Sequence, residues 1–166
     1  MSVSPAVFGL IALALASGLV AGVFLTFSDF VMKSLIACAP TTGTQAMQSI
    51  NRKVYKSLFM ILLMGLVPVS TLVSVYSAVF LTGNLQWILI TAGVLYCVGV
   101  FGVTAIRNVP MNHRLDALAH GSAEAGVYWP EYVLGWVRWN HVRWVTALAV
   151  STCYMVAAVH VAAQTG

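Results

Sequence analysis

The side chains of this chain that could do acid–base or anion-binding chemistry are few and lie in short segments. One segment contains Asn140, His141 and Arg143. Histidine titrates near neutral pH and can act as a general base, whereas arginine and asparagine can donate hydrogen bonds to a developing oxyanion. Trp136, Asn140 and Arg143 are spaced four and then three residues apart, which places them along one helix face. The segment therefore predicts a polar site on one helix, with His141 and Arg143 as candidate catalytic residues.

A second polar segment follows Arg107 and contains Asn108 and Asn112, with Pro110 between them. Proline disfavours helix at the residue before it, so we expect the preceding helix to stop near Arg107 or Asn108. A short helix could then begin at Pro110. The two asparagines would either cap and close this connection or form a rigid elbow that holds two amides at a binding site. In the second interpretation, Asn108 and Asn112 are candidate catalytic residues.

Three further polar residues are candidate substrate-binding groups. Asp29 lies near the end of the first apolar segment, with Lys33 four residues later. It would either anchor the helix through an ion pair or face a polar cavity. Asn51 and Tyr55 share one face of an amphipathic helix predicted over Thr44–Tyr55. An amide on the apolar side of such a helix needs hydrogen-bond partners, which indicates a site nearby.

The composition determines what kind of structure must position these groups. Of 166 residues, 60% are hydrophobic and only 7% are charged, against about 25% charged residues in an ordinary soluble domain. A soluble enzyme is therefore excluded. The net charge of +4 does not indicate nucleic-acid binding, because the basic residues lie beside apolar segments long enough to cross a membrane.

Long uncharged segments predict four membrane-spanning helices. We expect spans at about 6–30, 57–81, 85–106 and 140–163, with a tight turn at residues 82–84. The predicted fold is an all-α integral membrane protein, a single domain over residues 1–166. It is an up-down-up-down bundle of four transmembrane helices with amphipathic cytoplasmic helical extensions.

The charges also predict how the bundle lies in its membrane. All eight basic residues surround the connection after the first span or the connection after the third. The positive-inside rule places both connections in the cytoplasm and both termini outside, and we expect the inner membrane of a bacterium. Gly18 and Gly22 form a GxxxG pair that would allow close helix contact, either within the bundle or in a homodimer.

Four segments together carry a family resemblance. They read GVFLTFSDFVMKSL, AMQSINRKVY, RNVPMNHRLDAL and WVRWNHVRWV. In order and spacing they resemble the anthrone oxygenase-like family of small membrane proteins with four helices. The positions that match the family pattern are Asn51, Asn108, Pro110, Asn112, Trp136, Asn140, His141 and Arg143. Two positions depart from it, with Lys33 where a proline is common and Trp144 where a threonine often follows the arginine.

The resemblance implies oxidation of an aromatic CH-acid or phenol-like substrate by O2 at the cytoplasmic end of the bundle, with no flavin or metal cofactor. His141 would be the base. The expected hydrogen-bond donors to the oxyanion are Arg143, Asn108, Asn112 and Asn140. Trp136 and Trp139 would stack on the rings of a small aromatic or lipophilic substrate.

Two other functions fit the same residues. In the first, the protein is a redox protein that holds haem, a quinone or a metal ion, with His141 as the best candidate ligand. In the second, it is a non-enzymatic lipid-binding or assembly protein, in which Arg107, Arg138 and Arg143 hold anionic headgroups of the bilayer.

Overall fold

The computed structural model describes residues 4–165, which form helices and short connections and contain no strand. We number five helices. They are α1 (Pro5–Ala37), α2 (Pro40–Val54), α3 (Leu58–Phe80), α4 (Gly83–Asp116) and α5 (Ala123–Thr165). Four of them, α1, α3, α4 and α5, are long and apolar enough to cross a membrane. The prediction of an all-α integral membrane protein with four spanning helices is confirmed, whereas the up-and-down order stays a prediction.

Two separate hydrophobic cores stabilise the molecule. The transmembrane core includes Val20, Ala92, Tyr96 and Val150, all fully buried between α1, α3, α4 and α5. The second cluster, which we call the cap core, joins the end of α1 to α2, the end of α4 and the first half of α5. It consists of Met32, Met47, Leu115, Tyr128, Trp129, Tyr132 and Trp136. Because α1, α4 and α5 run through both cores, they fix the cap relative to the bundle.

Helices α1 and α4 contain π-helical turns where they pass towards the cap. These turns cover Phe27–Val31 in α1, and Leu95–Gly102 and Thr104–Asn108 in α4. Such turns insert extra residues into a helix and are frequent at functional sites. Each one rotates the side chains that follow it relative to those of a regular α-helix.

The expectation that the third long helix stops near Arg107 or Asn108 is wrong. Helix α4 continues through Pro110 to Asp116. A proline ring normally clashes with the preceding helical turn. Here that turn is π-helical, since the N–H of Val109 donates to the carbonyl oxygen of Thr104, five residues back. The wider turn accommodates the proline, so Asn108 and Asn112 are carried on one continuous helix.

Glycines allow close helix contacts at defined positions. A Cβ atom on Gly93 would lie 2.5 Å from the Cβ of Ser74 and 2.9 Å from the carbonyl oxygen of Ser70, so α3 and α4 meet there almost backbone to backbone. A Cβ on Gly18 would lie 3.3 Å from Oγ of Ser151 on α5, whereas one on Gly22 would meet nothing within 4 Å. Gly18 therefore serves a contact within the bundle, and a homodimer through Gly18 and Gly22 stays a prediction.

Replacing Gly93 tests the close contact between α3 and α4. We expect Gly93→Ala to lower the free energy of unfolding by about 1–3 kcal/mol, because the added methyl group overlaps Ser74 and the backbone of Ser70. Gly65→Ala in α3 is the matched control, since its Cβ would meet nothing within 4 Å. Thermal unfolding in detergent measures both variants. Equal stability of the two would contradict a close approach of the helices at Gly93.

Cysteine accessibility tests the orientation in the membrane. Cys38 is exposed next to the end of α1, beside the first charged connection, and Asn84 is exposed at the start of α4, just after its short connection to α3. We expect a membrane-impermeant maleimide to label Cys38 of bacterial spheroplasts only after permeabilisation. It should label Asn84→Cys, in a Cys38→Ser background, without permeabilisation. Cys38→Ser alone controls for Cys97 and Cys153, and labelling of Cys38 in intact spheroplasts would show the reverse orientation.

Candidate functional site

A narrow pocket lies where the transmembrane core meets the cap core. All five helices contribute to its wall, and its volume is about 80 Å³. The wall is mostly apolar, with Phe24, Phe27 and Trp136 as aromatic sides. At its mouth lie side chains that are partly or largely exposed, among them Tyr55 and Met60. The pocket therefore combines a ring-lined interior with a mouth built from partly exposed side chains.

The guanidinium of Arg143 lies inside this pocket and is 4% exposed. Its Nη2 donates to Oδ1 of Asn140 at 2.7 Å, and its Nη1 lies 3.5 Å from Oγ1 of Thr104, while Nε has no hydrogen-bond partner in the described part of the chain. Within residues 4–165, none of the four acidic side chains of the chain forms an ion pair with it. Arg143 is thus a buried cation whose charge is not neutralised by a carboxylate.

The position of Arg143 is fixed by neighbouring groups of α1 and α5. Both hydrogen bonds donated by Nδ2 of Asn140, to the carbonyl oxygen of Phe24 and to Oγ of Ser28, are 2.6 Å long. This leaves Oδ1 of Asn140 to accept from the guanidinium. The guanidinium also lies over two rings, 4.2 Å from the centroid of Phe24 and 5.1 Å from that of Trp136. Hydrogen bonds and cation–π contacts therefore orient the cation without neutralising it.

A second polar group of the wall is also incompletely paired. Asn108 is 1% exposed, and its Nδ2 donates to the carbonyl oxygen of Trp136 at 3.2 Å. Its Oδ1 has no hydrogen-bond partner among the described residues. Buried amide oxygens are nearly always paired, so this acceptor lacks the donor that such a group normally has.

A hydrogen-bonded cluster forms the cap side of the wall. Oδ1 of Asn112 accepts from the hydroxyl of Tyr132 and from Nε1 of Trp136, each at 2.9 Å. Nδ2 of Asn51 lies 3.5 Å from the same hydroxyl. Tyr132 is fully buried and stacks against Trp136. The cluster holds the indole of Trp136 at a fixed angle to the pocket.

The structure brings together most, but not all, of the residues predicted from the sequence. Those that line the pocket are Asn51, Tyr55, Asn108, Asn112, Trp136 and Arg143. Asn140 lies directly behind Arg143 and positions it. Trp139 lies elsewhere, with the guanidinium of Arg107 4.7 Å from its ring centroid. Asp29 lies in an outer groove between α1 and α5.

The expectation that His141 meets Arg143 around one cavity is wrong. His141 is exposed in the outer groove, where its Nδ1 accepts a hydrogen bond from Nε1 of Trp144 at 2.9 Å. Residues two positions apart in an α-helix are separated by about 200° of rotation, so Arg143 and His141 face opposite ways. Within residues 4–165, no three His, Cys, Asp or Glu side chains form a group that could hold a metal ion.

Sequence reasoning missed three residues of the site. Tyr132 precedes Trp136 by four residues and Thr104 precedes Asn108 by four, so helical spacing could have indicated both. His113 could not be found in this way, because it reaches the pocket only through its contact with Tyr55, which lies at the end of a different helix. Its Nε2 lies 3.5 Å from the hydroxyl of Tyr55, at the mouth. His113 is therefore in direct contact with a residue that lines the pocket.

Comparison with known proteins bears on the same part of the chain. Residues 52–153 match the family described as anthrone oxygenase. No curated protein and no solved structure matches. The matched range includes Asn108, Asn112, Trp136 and Arg143 of the pocket and ends within α5. Because this range is more than half of the 166 residues, the chain belongs to the anthrone oxygenase family.

Proposed function

We propose that this protein is a membrane oxidoreductase that binds a flat aromatic CH-acid of the anthrone type in the pocket and oxidises it with O2. The observation that carries the proposal is the buried guanidinium of Arg143, which faces an aromatic-lined pocket without a carboxylate partner. Family membership supports the same class of reaction.

The electrostatics favour an anionic ligand. Burying a cation without a counter-charge costs several kcal/mol, and the two cation–π contacts of Arg143 offset only part of that cost. An oxyanion next to the guanidinium would supply the missing charge. In this low-dielectric site, the guanidinium would stabilise the conjugate base of a weak carbon acid much more than it could in water.

The unpaired oxygen of Asn108 adds a second requirement. A carbonyl oxygen accepts hydrogen bonds and cannot itself stabilise an anion. A ligand that satisfies both groups carries an oxyanion for Arg143 and a hydroxyl for Asn108. A hydroxylated anthrone has both, on rings flat enough to lie beside Phe24 and Trp136.

The chemistry of such a ligand needs little from the protein. Removal of one proton from the methylene group of an anthrone gives an electron-rich, phenolate-like anion that can pass an electron to O2. Overall, anthrone and O2 give anthraquinone and water. One oxygen atom becomes the new carbonyl oxygen, and the other leaves as water with the two methylene hydrogens. The protein supplies a proton acceptor, charge stabilisation and an apolar space.

The proton has a route at the pocket mouth. The hydroxyl of Tyr55 can accept a proton from the ligand as it passes its own to Nε2 of His113, 3.5 Å away. His113 is exposed and can exchange the proton with solvent. Since His141 faces the outer groove, His113 takes the role of base in this proposal.

The size of the pocket indicates that its mouth moves when the ligand enters. A volume of about 80 Å³ is smaller than the roughly 300–1,000 Å³ of typical ligand sites. Tyr55 is half exposed and belongs to neither core, so it can rotate aside, whereas Met60 is partly exposed and packs against the transmembrane core. Closure of Tyr55 over the rings would then exclude water from the anion.

Replacing Arg143 tests the role of its charge. We expect Arg143→Met to lower kcat/KM for a hydroxylated anthrone by about 10²- to 10³-fold, because the oxyanion loses its main stabilising group. Arg143→Lys should retain part of the activity. Quinone absorbance and oxygen consumption measure turnover. Arg114→Met is the control, since Arg114 pairs with Glu131 outside the pocket, and it should stay within about twofold of the wild type.

Stability distinguishes a lost function from a lost fold in this experiment. Removing an unneutralised buried charge is favourable, whereas leaving Oδ1 of Asn140 without its donor is unfavourable, so the two effects oppose each other. Arg143→Met should therefore stay folded, with an unfolding temperature close to that of the wild type, although its activity is reduced. Full activity in a folded Arg143→Met protein would refute the proposal.

Replacing His113 tests the proton route. We expect His113→Gln to lower kcat by about 10- to 100-fold, because Tyr55 then has no acceptor for its proton. Added imidazole should restore part of the rate, an effect that a structural defect would not produce. His120→Gln is the control, since His120 contacts Arg52 and not a lining residue. If His113→Gln and His120→Gln were equally active, the route through Tyr55 would be wrong.

A further inference from the structure

The outer groove between α1 and α5 is a second polar site, separate from the pocket. Its volume is about 660 Å³, far larger than that of the pocket. The titratable and charged side chains that face it are Asp29, Lys33, Arg138 and His141. The groove lies on the outside of the molecule, so a ligand there does not need to enter either core.

The hydrogen bond from Trp144 determines what His141 offers to the groove. Because Nδ1 accepts from the indole, the neutral ring carries its hydrogen on Nε2. His141 is therefore a hydrogen-bond donor at the other edge of the ring, whether neutral or charged. Two neighbouring groups of the groove, Arg138 and Lys33, are donors as well.

The charges of the groove are only partly neutralised. Lys33 and Asp29 form an ion pair of 3.8 Å, but their side chains are 74% and 66% exposed, so solvent screens the pair strongly. Arg138 is exposed and forms no ion pair with any of the described acidic side chains. The groove therefore has an excess of one positive charge, with Arg138 as a cation available to an anion.

Apolar side chains continue the groove on both sides of these donors. Leu25, Ile36 and Leu134 line it and are 45%, 50% and 76% exposed. In α1 the polar groups come directly after the uncharged part of the helix, and in α5 they come before it. These positions correspond to the depth at which lipid headgroups lie. Hydrogen-bond donors at this depth match the phosphate of a phospholipid headgroup, and the exposed apolar side chains beside them match an acyl chain.

We propose that this groove binds one anionic phospholipid, with its phosphate held by Arg138, Lys33 and Nε2 of His141 and an acyl chain along Leu25. The argument is charge complementarity at membrane depth. It does not depend on the reaction proposed for the pocket, because Arg138, Lys33 and His141 do not line the pocket.

Native mass spectrometry of the delipidated full-length protein in detergent tests the site. We expect one phosphatidylglycerol per protomer to bind at a concentration at least about fivefold lower than phosphatidylcholine needs. The double variant Arg138→Gln/His141→Gln should lose this preference. Lys53→Gln is the control, since Lys53 is an exposed cation of α2 that does not line the groove, and it should keep the preference.

Each other outcome would overturn the proposal. Equal binding of phosphatidylcholine would mean an unselective lipid surface, and displacement of phosphatidylglycerol by inorganic phosphate alone would mean a site for the free ion. Unchanged selectivity in the double variant would place the lipid elsewhere. Both replaced side chains are exposed, so the variant should fold, and its unfolding temperature without added lipid checks this.

Discussion

The structure around the pocket depends on one buried charge. The guanidinium of Arg143 lies between two aromatic rings, with one firm hydrogen bond and no carboxylate to neutralise it. Such an arrangement is less stable than an apolar packing of the same volume. Its neighbours compensate by fixing its position, since Asn140 is held by Phe24 and Ser28 of α1. The charge is therefore ordered before a ligand arrives, which is the condition under which electrostatic stabilisation is strongest.

The position of the pocket follows from the way the long helices join two cores. The transmembrane core is mostly apolar, whereas the cap core is rich in tyrosine and tryptophan side chains whose polar atoms need partners. Polar groups are thus easiest to satisfy at the boundary between them. The π-helical turns Phe27–Val31 and Thr104–Asn108 lie beside this boundary, and the second ends at Asn108, whose oxygen stays unpaired.

The sequence predicts the framework of this site better than its detail. The uncharged segments determine the number of spans, and helical spacing brings Trp136, Asn140 and Arg143 to one face. Periodicity also separates His141 from Arg143, although their complementary chemistry favours a shared site. The continuation of α4 through Pro110 could not be predicted, because a π-helical turn has no distinct sequence signal. The contact of His113 with Tyr55 joins two helices and depends on tertiary packing.

Helix α5 carries basic groups on two opposite faces, and burial gives them different properties. Arg143 faces inwards, where a low dielectric makes one unneutralised charge strong enough to favour the anion of a weak acid. Arg138 and His141 face outwards, where water and salt screen them. An anion held there exchanges readily, as a lipid headgroup does. The pocket therefore suits chemistry on a ligand and the groove suits contact with the bilayer, although the same residue types form both.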